Sequence, residues 1–218
     1  MIRGIVFDMD GLMFDTERLV LEAWQVAGGQ AGYTVDSSLV VQTLGLNAED
    51  TKRVFMDALG PAFDFYSVRN TRDAHVRSRI GREGVPVKPG LAALLNFLKT
   101  NGYKMTVATS SEKEKAMLYF ENAGIADFFE GIVCGEMIAR GKPEPDIYLK
   151  ACEILGVAPC ECIALEDSPA GVQSAYLAGM KPVMIPDLAV PDEATEAMLF
   201  AKLPALTHVI RLLHALGR

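Results

Sequence analysis

Ile5-Val6-Phe7-Asp8-Met9-Asp10-Gly11 sets an apolar, β-prone run directly against two carboxylates and a glycine. Ile5, Val6 and Phe7 have the character of a buried parallel strand. Ionised carboxylates at positions i and i+2 of a strand end repel each other, and burial strengthens the repulsion. A divalent cation is the simplest relief. The stretch therefore predicts a strand that delivers acid groups to a metal.

Outward from this strand the chain changes character twice. Thr16 is a candidate cap for a helix over 16–30, which Gly28-Gly29 would end. Asp36 and Asn47 are further caps, for helices over 37–43 and 48–59, and Gly60-Pro61 precedes a long helix over 62–82. Nothing between 16 and 84 alternates as a strand does. From Val87 the pattern becomes βα alternation, with strands over 104–108, 132–134, 162–165 and 182–185. Helices begin between them near Pro89-Gly90, Glu112, Pro145 and Ser168, and two more lie near 192–198 and 206–216. The predicted fold class is α/β, a doubly wound, Rossmann-like parallel sheet with right-handed crossovers. Residues 1-15 and 86-218 form its discontinuous catalytic core, and residues 16-85 an inserted all-helical cap.

Composition narrows the function. The chain has 218 residues, half of them apolar, so a large core is expected. A net charge of −7 argues against nucleic acid as a partner. No targeting segment is visible, and no apolar run approaches the roughly 18–20 residues of a membrane helix, so a cytoplasmic location is expected. Cys134, Cys152, Cys160 and Cys162 form no Cys-x-x-Cys pair and read as reduced, mostly buried thiols. His75, His208 and His214 are scattered, which disfavours a histidine base. Oligomeric state is left open, a monomer being compatible with the sequence.

Parallel sheets hold ligands outside the carboxyl ends of their strands. Polar residues stand at three such ends, Asp8-Met9-Asp10, Thr109-Ser110-Ser111 and Glu166-Asp167, and Gly141-Lys142-Pro143 leads into a helix. This inventory suits phosphoryl transfer to or from a small phosphorylated metabolite. Carboxylates hold Mg²⁺, while a hydroxyl, an ammonium and loop N–H groups hold phosphate oxygens. One aspartate attacks phosphorus and another moves the proton.

At these residues the sequence resembles the haloacid dehalogenase superfamily, in its β-phosphoglucomutase-like and pseudouridine-monophosphate-phosphatase-like branch. Asp8-x-Asp10-Gly11, Thr109, Lys142 and Glu166-Asp167 are similar to that family's four motifs, in its order. The resemblance implies that Asp8 is the nucleophile, forming an aspartyl phosphate, and that Asp10 is the acid and base. It implies Mg²⁺ ligation by Asp8, Asp167 and the Asp10 carbonyl, with Glu166 binding directly or through water. Thr109, Ser110 and Lys142 would bind phosphate.

Blander roles compete: the aspartates as turn residues, Thr109, Ser110 and Ser111 as helix caps, Lys142 as a surface lysine. Four motifs in order outweigh them. Glu17, just past the first motif, is a candidate specificity residue. Arg69, Arg72, Arg77, Arg79, Arg82 and Lys88 read first as a solvated face and second as an attractor of anionic substrates. Trp24, Met9, Met13 and Met117 read as packing. The leading expectation is a phosphatase for a sugar phosphate or nucleoside monophosphate. A hexose-phosphate mutase is the nearest rival. Against it, Val20 stands where that branch carries a histidine, and Leu44-Gly45-Leu46-Asn47-Ala48 lacks its lysine and arginine. A metal-free dehalogenase would not need Glu166-Asp167. A phosphoaccepting receiver domain would share the acid cluster but lack the helical insertion.

Overall fold

The computed structural model describes residues 1–217. β1 (Gly4–Phe7), β2 (Lys104–Thr109), β3 (Ile132–Cys134), β4 (Cys162–Glu166), β5 (Lys181–Met184) and β6 (Ala201–Lys202) form one parallel sheet in the order β3-β2-β1-β4-β5-β6. β1 pairs with β2 from Gly4 opposite Lys104 to Phe7 opposite Val107. On its other edge it pairs with β4, from Gly4 opposite Cys162 to Phe7 opposite Leu165. The chain thus winds outward in both directions from β1, which places a ligand site at the carboxyl ends of β1 and its neighbours. β6 has two residues, too short for any alternation to announce it in the sequence.

From residue 16 to residue 85 every regular element among the described residues is a helix: α1 (Glu17–Gln30), α2 (Ser37–Val41), α3 (Ala48–Leu59) and α4 (Phe65–Glu83). They enclose an apolar centre of their own, in which Trp24 packs against Phe55 at 4.3 Å and Phe65 at 5.7 Å between ring centroids. Asn47 and Asp64 cap α3 and α4 by accepting from the backbone N–H groups of Asp50 and Ser67. α1 ends at Gln30, as expected, directly after Gly28-Gly29, and Gly28 also permits a close approach: a Cβ on it would lie 2.4 Å from Val35 Cγ2. One expectation fails locally. Thr16 stands at the start of α1, but its hydroxyl donates to Asp10 Oδ1 at 2.6 Å rather than capping the helix.

The remaining helices, α5 (Leu91–Thr100), α6 (Lys113–Ala123), α7 (Asp146–Leu155), α8 (Pro169–Leu177), α9 (Glu193–Met198) and α10 (Thr207–Ala215), belong to the sheet. The alternation within β1 separates its two faces. Ile5 and Phe7 join the core made with α5, α6 and α10, while Val6 joins the core made with α7 and α8. Two chain crossings connect the sheet to the helical block as a short antiparallel ribbon. The N–H of Asp15 donates to Pro86 O at 2.8 Å and that of Lys88 to Met13 O at 2.9 Å. Beside this ribbon Asp187 pairs with Arg18 at 3.0 Å and Lys88 at 2.9 Å, and Lys88 also pairs with Asp15 at 3.0 Å.

Candidate active site

β1 and β4 end side by side, so Asp8, Glu166 and Asp167 share one edge of the sheet. Their carboxylates offer oxygens that all lie within 4.8 Å of one another. Each is almost wholly buried, with Asp8 at 6%, Glu166 at 0% and Asp167 at 2% exposure. Lys142, itself 0% exposed, enters from the loop before α7 and answers this charge. Its Nζ donates to Asp8 Oδ1 at 2.5 Å, Glu166 Oε1 at 2.6 Å and Ala108 O at 3.2 Å.

Glu166 is saturated. Besides Lys142, the hydroxyl of Tyr148 donates to Oε1 at 2.5 Å. Ser168 Oγ and the N–H groups of Asp167 and Ser168 donate to Oε2 at 3.1, 3.2 and 3.3 Å. Asp167 differs: its Oδ2 is buried and meets no donor in hydrogen-bond geometry, only the neighbouring Glu17 carboxyl. Burial, then the negative charges of Glu17, Asp8 and Glu166, hold its carboxyl well above the usual range. Burial likewise pushes Asp8 up to about 7, with Glu166 and Asp10 adding to the shift and Lys142 opposing it. An unpaired oxygen, three converging carboxylates and proton affinities raised by crowding are what an oxygen-ligated cation site requires. The residues fit a divalent metal. Gly11, at φ +80°, keeps this corner clear, since a Cβ there would lie 2.0 Å from Asp167 Oδ2.

Asp10 projects elsewhere. Its carboxylate accepts from Thr16 Oγ1, from Ser111 Oγ at 2.7 Å and from Lys115 Nζ at 2.9 and 3.0 Å. Burial pushes Asp10 upward, but the Lys115 charge and these hydrogen bonds win and hold its carboxyl below the usual value. Two acids on one strand end are thus driven in opposite directions, Asp8 up and Asp10 down.

The structure therefore brings Asp8, Glu166, Asp167 and Lys142 into one cluster and sets Asp10 beside it. Thr109 and Ser110 line the same cleft of about 1300 Å³ as Asp8 and Asp10. Thr109 Oγ1 accepts from Ser111 N–H at 3.1 Å, which leaves its own proton free to donate. Ser110 gives its hydroxyl to Gly45 O at 2.8 Å and so ties the β2 end to the helical block. Glu17 lines the cleft but is only 5% exposed, and burial together with Asp10, Asp187 and Asp8 holds its carboxyl well above the usual range.

The basic stretch divides. Arg69, Arg72 and Arg77 line the cleft, whereas Arg79 pairs with Glu22 and Glu83 at the surface. The solvated-face expectation fails for Arg72, whose side chain is 14% exposed. Met117 also departs from expectation, lying 38% exposed at the cleft rather than packed. Sequence reasoning missed Lys115, Tyr119 and Tyr148. Lys115 stands in the first turn of the helix that follows Thr109-Ser110-Ser111, within reach of the same strand end; nothing comparable pointed to the two tyrosines.

Fold and site define an acid-cluster enzyme of the parallel α/β class. The chain belongs to the haloacid dehalogenase-like hydrolase family, whose model matches residues 2–179. Among curated relatives it is 34% identical over 177 residues to hexitol phosphatase A of Escherichia coli, covering 81% of this chain and 80% of that one. It is 29% identical over 180 residues to the phosphorylated carbohydrates phosphatase of Thermotoga maritima, covering 83% of each. Its fold is that of the β-phosphoglucomutase of Clostridium difficile, at a TM-score of 0.82 and 23% identity over 99% of this chain and 96% of that one.

Proposed function

We propose that this protein is a Mg²⁺-dependent phosphatase that hydrolyses a sugar phosphate or nucleoside monophosphate through an aspartyl phosphate on Asp8. The observation that carries the reading is the Asp8–Lys142–Glu166–Asp167 cluster, with Asp167 Oδ2 meeting no donor. Asp8, Asp167 and the Asp10 carbonyl would ligate the metal. Glu166, its oxygens already engaged, would act through a bridging water. When bound, the cation would supply positive charge that lowers the repulsion between the Asp8 carboxylate and an incoming phosphate. Its oxygen-only donors suit a hard ion such as Mg²⁺.

An Asp8 oxygen bonds to phosphorus as the phosphorus–oxygen bond to the leaving alcohol breaks, and Asp10, which must first take up a proton against the Lys115 charge, gives that proton to the alcohol. Asp10 then takes a proton from water, which attacks phosphorus and returns Asp8 and inorganic phosphate. Thr109, whose hydroxyl proton is free, and the Lys142 charge would hold the equatorial oxygens, and Ser110, whose hydroxyl goes to Gly45 O, would contribute its backbone N–H. Residues 16-85 act as a cap over the cleft, excluding bulk water and selecting the leaving group, with Glu17 at their base.

Hydrolysis is favoured over phosphoryl transfer between sugar hydroxyls because Val20, an apolar residue, lines the cleft where the mutase branch has a histidine. A screen of phosphate release over many phosphomonoesters, with and without Mg²⁺, tests the reading. Asp8→Asn is expected to lose about three orders of magnitude or more. Equal turnover by Asp8→Asn rejects it as nucleophile. Conversion of a hexose 1-phosphate to the 6-phosphate in the presence of its bisphosphate would reassign the enzyme as a mutase.

A further inference from the structure

Among the described residues, three that line the cleft have a buried polar atom without a partner: Glu17, an acceptor at the acid cluster, and Arg72 and Tyr119, which offer donors away from it. Arg72, on α4, lies with its guanidinium carbon 4.8 Å from the centre of the Trp24 ring. One terminal nitrogen pairs with Asp73 at 2.9 Å, while its Nε is buried and bonds to nothing. Tyr119, on α6, is 1% exposed. Its ring packs edge-on against Phe14 at 5.6 Å and beneath the Lys115 ammonium at 5.3 Å. Its hydroxyl is buried and also bonds to nothing. Both residues line the cleft that contains Asp8 and Asp10, one from the helical block and one from the sheet.

Leaving a buried donor unsatisfied costs stability, and native chains keep such groups where a ligand completes them. The ring contacts fix each side chain, so neither can turn away to find a partner within the protein. The Lys115 ammonium that lies over the Tyr119 ring also bonds Asp10, which sets Tyr119 near Asp10.

We propose that Arg72 and Tyr119 form a subsite for a neutral hydroxyl of the leaving alcohol, so that the preferred substrates are phosphorylated polyols. This rests on the phosphatase reading above. Arg72 Nε–H donates only, Asp73 accepts only, and a phenol does both. A hydroxyl, able to accept and donate together, satisfies this set. A second anionic group suits it less well. The Arg72 charge is already met by Asp73, and Glu112, Glu114 and Glu121 line the same cleft. Burial and the Asp10 charge hold the Tyr119 phenol protonated and ready to donate.

The test uses Tyr119→Phe, which removes one oxygen, and Arg72→Met, which keeps the stem over Trp24 and removes the donors. Three substrates are compared with Mg²⁺ present: a hexitol phosphate, acetyl phosphate with almost no leaving group, and a hexose bisphosphate. In each variant the ratio of kcat/KM for the hexitol phosphate over acetyl phosphate should fall about tenfold or more. Parallel losses on both substrates would show a merely structural role and overturn the proposal, as would an unaltered ratio. A loss confined to the bisphosphate in Arg72→Met would overturn the neutral-hydroxyl assignment. Wild type inert on every ester would overturn the phosphatase reading and this subsite with it, whereas an active wild type with unaltered ratios in the variants overturns the subsite alone.

Discussion

Lys142 shows how much rests on single residues. It lies 0% exposed between Asp8 and Glu166. Removing one partner of a buried charge cluster strands the others. Lys142→Met should therefore destabilise the metal-free protein by about 3–5 kcal/mol, read from urea unfolding; a loss below about 1 kcal/mol would contradict this balance. Gly171 is a second such point, because a Cβ there would lie 1.8 Å from Glu166 Oε1, itself locked by five donors. Gly171→Ala should cost about 1–3 kcal/mol and lower kcat by displacing Glu166, whereas an unshifted melting temperature would show that the carboxylate has room to yield. Of these residues the sequence displayed Asp8, Asp10, Lys142 and Glu166-Asp167, because each stands at a strand end or between a glycine and a proline. It did not display Tyr148 or Tyr119, which reach the site from helix faces where a tyrosine reads simply as core.

At the scale of elements, the sheet was legible because its strands are short apolar runs ended by polar residues. β1 illustrates this best, since Ile5 and Phe7 face one core and Val6 the other, so the whole run is buried. Helix ends were less legible. Thr16, a fair cap by residue type, gives its hydroxyl to Asp10, and Gly28 sits inside α1 because Val35 crowds it. At Thr16 a tertiary contact overrode the local preference for a cap. The sequence placed the two crossings near residues 15 and 86 but gave no signal that they pair as a ribbon, and Asp187, from the loop after β5, clasps it through Lys88 and Arg18. Asp187→Asn should raise amide hydrogen exchange in residues 14–17 and 85–88 more than in β1 or β4. Uniform exchange across the molecule would show that the clasp does not control the joint.

For the whole molecule, the crowding of acids at one edge links metal, protons and stability. Asp8 is raised to about 7 from an ordinary 3.8, and Asp167 is raised as well, so the metal-free fold holds protons that the unfolded chain has released. That stability is present at low pH and is lost as pH rises through the folded-state values. A bound cation replaces those protons. The gain in melting temperature on adding Mg²⁺ should therefore grow from about pH 5.5 to about pH 8, with protons released on binding; a gain independent of pH would remove Asp8 and Asp167 from the metal site. Turnover by this route requires a covalent bond between Asp8 and phosphorus. Borohydride quenching during turnover, which reduces an acyl phosphate to an alcohol, reads that bond by peptide mass. Homoserine at position 8, with Asp10 and Asp167 intact, is the result expected. Steady turnover with no reduced residue, or with reduction at another carboxylate, would contradict it.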